Sequence, residues 1–138
     1  MKQTIMNKIA LDSNILIYSH SLECEKKKLI ARAFFKENPV VSSQVISEYI
    51  NVIKRNLKLT KFEIIQLCSS WLEKYTVQPV VLSTIKLAQD IIKKYDFQVF
   101  DSIIIAAALE AECDILYSED MHSGLIIENT LKIVNPFT

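Results

Sequence analysis

Phe100-Asp-Ser-Ile-Ile-Ile-Ala-Ala-Ala-Leu109, followed shortly by Asp114-Ile-Leu-Tyr-Ser118, decides the fold class. From Ile103 to Leu109 every residue is apolar, so a helix there has no solvent face and should be the most buried helix of its domain. The helix is expected to start near Phe100 or Asp101 and reach about Glu112, with Asp114 to Ser118 as a strand directly after it. A fully covered helix beside a short apolar strand belongs to a sheet interleaved with helices.

The same alternation extends outward in both directions. Upstream, Thr84 to about Tyr95 reads as a helix and Val77 to Leu82 as a strand, whose Pro79 argues for an edge position because it cannot donate to a ladder. Thr60-Lys-Phe-Glu63 fits a capping box opening a helix to about Tyr75. Val40 and Val41 form a short strand, and Ser42 or Ser43 caps a helix to about Asn56. Lys8 to Asp12 reads as a buried strand, then a helical turn over Asn14 to Tyr18 and a charged helix over roughly Leu22 to Lys36, stopped by Pro39. Downstream, Leu131 to Val134 is the last strand. The order predicts one α/β domain over residues 1–138, an α/β/α sandwich with a central, mostly parallel sheet.

Composition removes whole classes of chemistry. A single glycine, Gly124, excludes the dinucleotide fingerprint, the phosphate loop and the nucleophile elbow, each of which needs at least two. Cys24, Cys68 and Cys113 are odd in number and far apart, reading as buried thiols of a reducing compartment. With only His20 and His122, both read as loop histidines, the catalytic material most available is the carboxylate. The net charge of zero hides a basic first half and an acidic second half, which suits a polyanion docking beside a metal-loading pocket. No run of apolar residues is long enough to span a membrane and the N-terminus lacks a secretory layout, so a soluble cytoplasmic protein is expected.

Ligands of open parallel sheets bind outside the carboxyl ends of the strands. Asp12 ends the first strand, Glu48 lies in the second turn of the helix after the second, Asp101 opens the buried helix, and Asp120 follows the strand ending at Ser118. Singly, Asp12, Asp101 and Asp120 are as well explained as helix caps. Glu48 falls just outside the apolar arc of its helix and borders the core. Together, strand ends about 4.8 Å apart would crowd four carboxylates at about 5 Å, where each pair repels by roughly 3 kcal/mol. A divalent cation relieves that repulsion, and all-oxygen ligands favour Mg²⁺ or Mn²⁺.

The stretches Leu11-Asp-Ser-Asn-Ile-Leu-Ile-Tyr18, Ser47-Glu-Tyr49, Phe100 to Leu109, Leu116-Tyr-Ser-Glu-Asp-Met121, Gly124 and Val134-Asn-Pro-Phe137 resemble the PIN-domain family along essentially the whole chain. The likeness is greatest to VapC-like toxins of bacterial toxin–antitoxin systems. It implies a PIN-like fold, a Mg²⁺- or Mn²⁺-dependent endoribonuclease, and a catalytic, metal-holding quartet of Asp12, Glu48, Asp101 and Asp120. It also implies that Ser13 or Asn14 and Ser118 orient the first acid or a metal-bound water, with Glu119 either an additional acid or a solvated turn residue. Serine stands at 13 and 118 where threonine is frequent in the family.

The implied partners are an RNA substrate, a small antitoxin protein covering the acidic crevice and a second copy of the chain. The 50% apolar content also exceeds what one small core readily hides. Two rivals are an inactive PIN-like binding module and a phosphoacceptor signalling domain. The first would normally have lost an acid, and the second needs a lysine at a late strand end, where only Lys132 is available.

Overall fold

A computed structural model describes residues 7–138, and the reading of the first six residues as lacking a secretory layout lies outside them. Among the described residues six strands form one sheet: β1 (Ile9–Leu11), β2 (Val40–Ser42), β3 (Thr76–Gln78), β4 (Ile115–Tyr117), β5 (Ile126–Ile127) and β6 (Leu131–Val134), in the order β3-β2-β1-β4-β6-β5. Every pairing is parallel except β5 with β6, so the expected sandwich with a mostly parallel sheet is present.

The helices are α1 (Ser13–Tyr18), α2 (Glu25–Ala33), α3 (Ser43–Asn56), α4 (Lys61–Leu72), α5 (Leu82–Tyr95) and α6 (Val99–Glu110). From β1 the chain first builds toward one edge through β2 and β3, then returns to place β4 on the other side of β1. The right-handed crossover rule puts helices from these two excursions on opposite faces of the sheet. Strand order therefore reverses between β1 and β4, which makes the crevice beyond their carboxyl ends the expected ligand position.

The apolar stretch behaves as its composition requires. Ser102 through Ala108 in α6 are all buried, packed against α5, β2 and α3. The main core joins the sheet residues Ile9, Leu11, Val41, Leu116 and Ile133 to Ile105, Val45 and Tyr49 of the helices. Among the described residues no helix is long and apolar enough to cross a membrane.

Several boundaries differ from the sequence reading, each for a local reason. The Ser21 hydroxyl accepts from the Glu23 and Cys24 amides and holds a turn there, so α2 begins at Glu25 and not Leu22. Its far end tightens into a 3₁₀ turn, Phe34–Glu37, closed by Asn38 in the left-handed region before Pro39 is reached. The strand read as Val77 to Leu82 ends at Gln78, because the Val81 amide donates to Thr84 Oγ1 and opens α5 instead. Its edge position stands. The capping box at Thr60 and Glu63 is present, though α4 ends at Leu72 and not Tyr75. Residues Ile126–Ile127 make a strand too short to announce itself by period.

Candidate active site at the β1/β4 strand ends

Asp12 follows β1 directly, and its backbone amide still pairs with the Tyr117 carbonyl, which ties the acid to the end of β4. It is only 4% exposed. Its Oδ1 accepts from the Ser13 amide at 2.7 Å and more distantly from the Ser13 hydroxyl, while Oδ2 accepts from the Ser118 hydroxyl at 2.7 Å. Burial raises its proton affinity; the Ser118 and Ser13 hydrogen bonds oppose that rise, and the charge of Asp120 adds to it.

Ser118 is fully buried and has a second task. Its oxygen accepts from the Asp120 and Met121 amides, so one hydroxyl fixes Asp12 and shapes the turn that carries Asp120. Asn14 completes that connection: its Nδ2 donates to Asp120 Oδ2 at 3.1 Å, and its Oδ1 accepts from the Glu119 amide at 3.3 Å. Asp120 itself is exposed and starts no helix, so the capping explanation does not hold for it.

Glu48 stands in the second turn of α3, which Ser42 caps through the Val45 amide. Its Oε2 is buried and, among the described residues, has no hydrogen-bond partner. Burial raises its proton affinity, with further increase from Asp12 and Asp101 and a reduction from the Gln44 side chain. Asp101 lies in the first turn of α6 and does not open it, because Val99 is the first helical residue and Gln98 the cap. Its proton affinity is likewise raised by burial first, then by Asp12 and Asp120.

The four acids thus feel one another's charge around one crevice, but more loosely than strand spacing implies. Among the described residues no three Asp, Glu, His or Cys side chains are gathered closely enough to enclose a metal ion. The reason lies in the supports. Asp12 and Asp120 come from neighbouring strand ends, whereas Glu48 projects from a helix interior and Asp101 from a helix that follows another helix. Burial, not mutual repulsion, therefore leads the rise in proton affinity at Asp12, Glu48 and Asp101. Asp12, and not Glu48, is the most deeply buried of the four.

An open carboxylate arrangement still fits a hard cation. Mg²⁺ keeps several waters and takes one or two carboxylates, unlike a closed all-protein cage. The partnerless Glu48 Oε2 is an acceptor that protein donors leave unused.

Other residues separate clearly from the crevice. Glu119 is committed to Lys27 in an ion pair and accepts the Tyr18 hydroxyl at 2.6 Å, and these two partners hold its carboxyl below its ordinary proton affinity. Lys27 and Tyr18 carry no sequence signal of this role. His20 lies in the turn after α1, as expected, but its ring is not free in solvent: it meets the Tyr49 hydroxyl at 2.7 Å and packs on Trp71, and burial lowers its pKa to about 4. Lys132 pairs in register with Ile115, at the amino end of β4 and away from the acids, which removes the lysine a phosphoacceptor site needs. A cavity of about 450 Å³ adjoins the acids, with Asp101 and Asp120 on its wall between the Tyr95–Gln98 loop and the segment after Asp120.

Residues 9–122 match the PIN domain family. The chain is 32% identical over 111 residues to Ribonuclease VapC2 of Methanocaldococcus jannaschii, covering 71% of this chain and 74% of that protein. Among solved structures, the DNA-bound VapBC of Salmonella typhimurium aligns with a TM-score of 0.70 at 16% identity, covering 93% of this chain and 97% of that one. A toxin–antitoxin complex from Klebsiella pneumoniae aligns at 0.67 and 17% identity, covering 94% and 97%. Mycobacterium tuberculosis VapC20, a Sarcin-Ricin loop cleaving toxin, aligns at 0.62 and 12% identity, covering 79% and 87%.

Proposed function

Because the chain belongs to the PIN-domain family, we propose that it is a metal-dependent endoribonuclease hydrolysing RNA phosphodiester bonds, and the toxin of a toxin–antitoxin pair. The observation that carries this reading is the partnerless, buried Glu48 Oε2 beside Asp12 and Asp101 at the strand-order reversal. A buried carboxylate oxygen without a donor costs stability unless something cationic meets it during function. The ribonuclease named among the relatives gives the reaction class.

Asp12, Glu48, Asp101 and Asp120 are the residues that would hold Mg²⁺ or Mn²⁺. When bound, such an ion supplies charge neutralisation at a scissile phosphate and makes water a stronger nucleophile. The chain's own contribution is positioning. Ser13 and Ser118 fix both oxygens of Asp12, and Asn14 fixes one of Asp120. Ser118 is 0% exposed with its hydroxyl directed at Asp12, so it orients and does not attack.

The partners follow from the surface. Phe62, Ile65, Leu82, Val99 and Phe100 are more than half exposed, which supports both a homodimer and an antitoxin that hides apolar area. Toxin–antitoxin complexes among the structural neighbours support the second. The free thiols Cys24, Cys68 and Cys113 suit the reducing cytoplasm.

The test is cleavage of single-stranded and structured RNA by purified protein with Mg²⁺, with Mn²⁺ and with excess EDTA. Cleavage with either metal, abolished by chelator, is expected. Undiminished cleavage in EDTA overturns the metal dependence, and no cleavage with either ion overturns the nuclease.

A further inference from the structure

The cavity beside the acids has walls of a different character from the crevice itself. On one side α5 ends at Tyr95, and Asp96, whose φ of 58° places it in the left-handed region, turns the chain sharply into Phe97 and Gln98. On the other side lie Met121, His122 and Leu125. The volume, about 450 Å³, falls within the roughly 300 to 1,000 Å³ typical of pockets for one small ligand.

Two polar side chains in that wall are uncommitted. Gln98 occupies the cap position of α6 yet makes no side-chain capping bond. Neither its amide nor the His122 ring has a hydrogen-bond partner among the described residues, although both line the cavity. Tyr95, in contrast, is locked, its hydroxyl accepting the Glu128 amide, and its ring lies 6.4 Å from that of Phe97.

Charge decides what kind of group can enter. Asp101 and Asp120 belong to the acids that would hold the metal, Asp96 adds a further carboxylate, and no lysine or arginine lines the space, so nothing in its wall apart from the metal position attracts a phosphate. Its lining is complementary to a flat group with amino donors: the Phe97 side chain for the ring, carboxylate and amide oxygens for the edge. Unstacked bases of single-stranded RNA are recognised by that combination of stacking and edge hydrogen bonds.

We propose that this cavity is a base subsite, seating one unstacked nucleobase next to the phosphate under attack. Phe97 serves as the stacking face, and Asp96, Gln98 and His122 read the edge. Adenine, cytosine and guanine present amino donors to these acceptors, whereas uracil turns a carbonyl oxygen toward a carboxylate, so uracil is disfavoured there. The subsite rests on the endoribonuclease reading and adds to it a sequence preference and the residues that set it.

The experiment sequences RNA ends after brief cleavage of a randomised single-stranded RNA pool, for the wild type, Gln98→Ala and Phe97→Leu, with steady-state kinetics on one preferred sequence. Gln98 is exposed, so its variant should fold even where a change at half-buried Phe97 costs stability. The wild type is expected to disfavour uracil at one position flanking the cut by about tenfold, the value of one good base contact. Gln98→Ala should flatten that bias, and Phe97→Leu should raise KM by about tenfold with a smaller change in kcat. Identical flanking-base frequencies in all three proteins overturn the subsite and leave the nuclease standing. No cleavage by the wild type overturns the nuclease and the subsite with it.

Discussion

The Ser118 hydroxyl donates to Asp12 Oδ2 at 2.7 Å, joining residues 106 positions apart at the ends of two neighbouring parallel strands, with both side chains buried. One contact thereby couples the first acid of the crevice to the turn carrying the last. A group with that position should show its influence on activity before it shows on folding, and the variants below are chosen to separate the two.

Asn14→Ala removes the donor to Asp120 Oδ2 and the acceptor for the Glu119 amide. By analogy with groups that orient metal ligands, RNA cleavage should fall about 10- to 100-fold. Because these bonds are solvent-accessible, the melting free energy should drop by no more than about 1 kcal/mol. An equal loss of activity and of folded protein would mean that Asn14 supports the fold and not the site.

Asp12→Asn should stabilise the metal-free protein. Asp12, Glu48 and Asp101 all bind protons more readily in the folded chain, so between about pH 4 and their raised values the folded state holds more protons than the unfolded one. Stability contributed by these groups is therefore full at low pH and declines as pH rises. In EDTA the gain from Asp12→Asn should be absent near pH 4 and reach about 1 kcal/mol near pH 7.5, read from paired thermal melts, while cleavage is lost. A gain independent of pH would assign the effect to packing.

Asp101→Asn should stabilise less. Asp101 is only partly buried and its neighbours are not gathered around it, so solvent screens most of the repulsion and the change in EDTA should stay below about 1 kcal/mol. Cleavage should still collapse if Asp101 holds the metal. Retained activity would remove it from the site.

Glu119→Gln provides the opposite pattern. Its carboxylate is held by Lys27 and Tyr18, so the variant should lose about 0.5 to 1 kcal/mol, less at high salt, with little change in cleavage. A collapse of activity at unchanged stability would return Glu119 to the crevice.

Much of this architecture was legible in the chain because its strongest signals are local. The all-apolar run from Ile103 to Leu109, the capping box at Thr60 and Glu63, and the proline at 79 each act through neighbours a few residues away. Asp12, Asp101 and Asp120 could be picked out from where strands and helices are expected to begin and end, and Glu48 from its place at the margin of its helix's apolar arc. Their spacing could not, because Glu48 and Asp101 are set by helix packing across the sheet and not by ladder geometry. For the same reason the partnership of Glu119 with Lys27, 92 positions away, and the burial of His20 against Trp71 leave no periodic trace. Short edge elements such as Ile126–Ile127 are defined by pairing alone.

The pairing of β1 with β4 also has a consequence for synthesis. During synthesis Asp12 emerges 106 residues before Ser118, which orients it and shapes the turn of Asp120, and β6, which flanks β4, emerges later still. Any product of termination between β1 and β4 therefore carries Asp12 without the hydroxyl that orients it and without the Asp120 turn, so the crevice assembles only once β4 has docked beside β1.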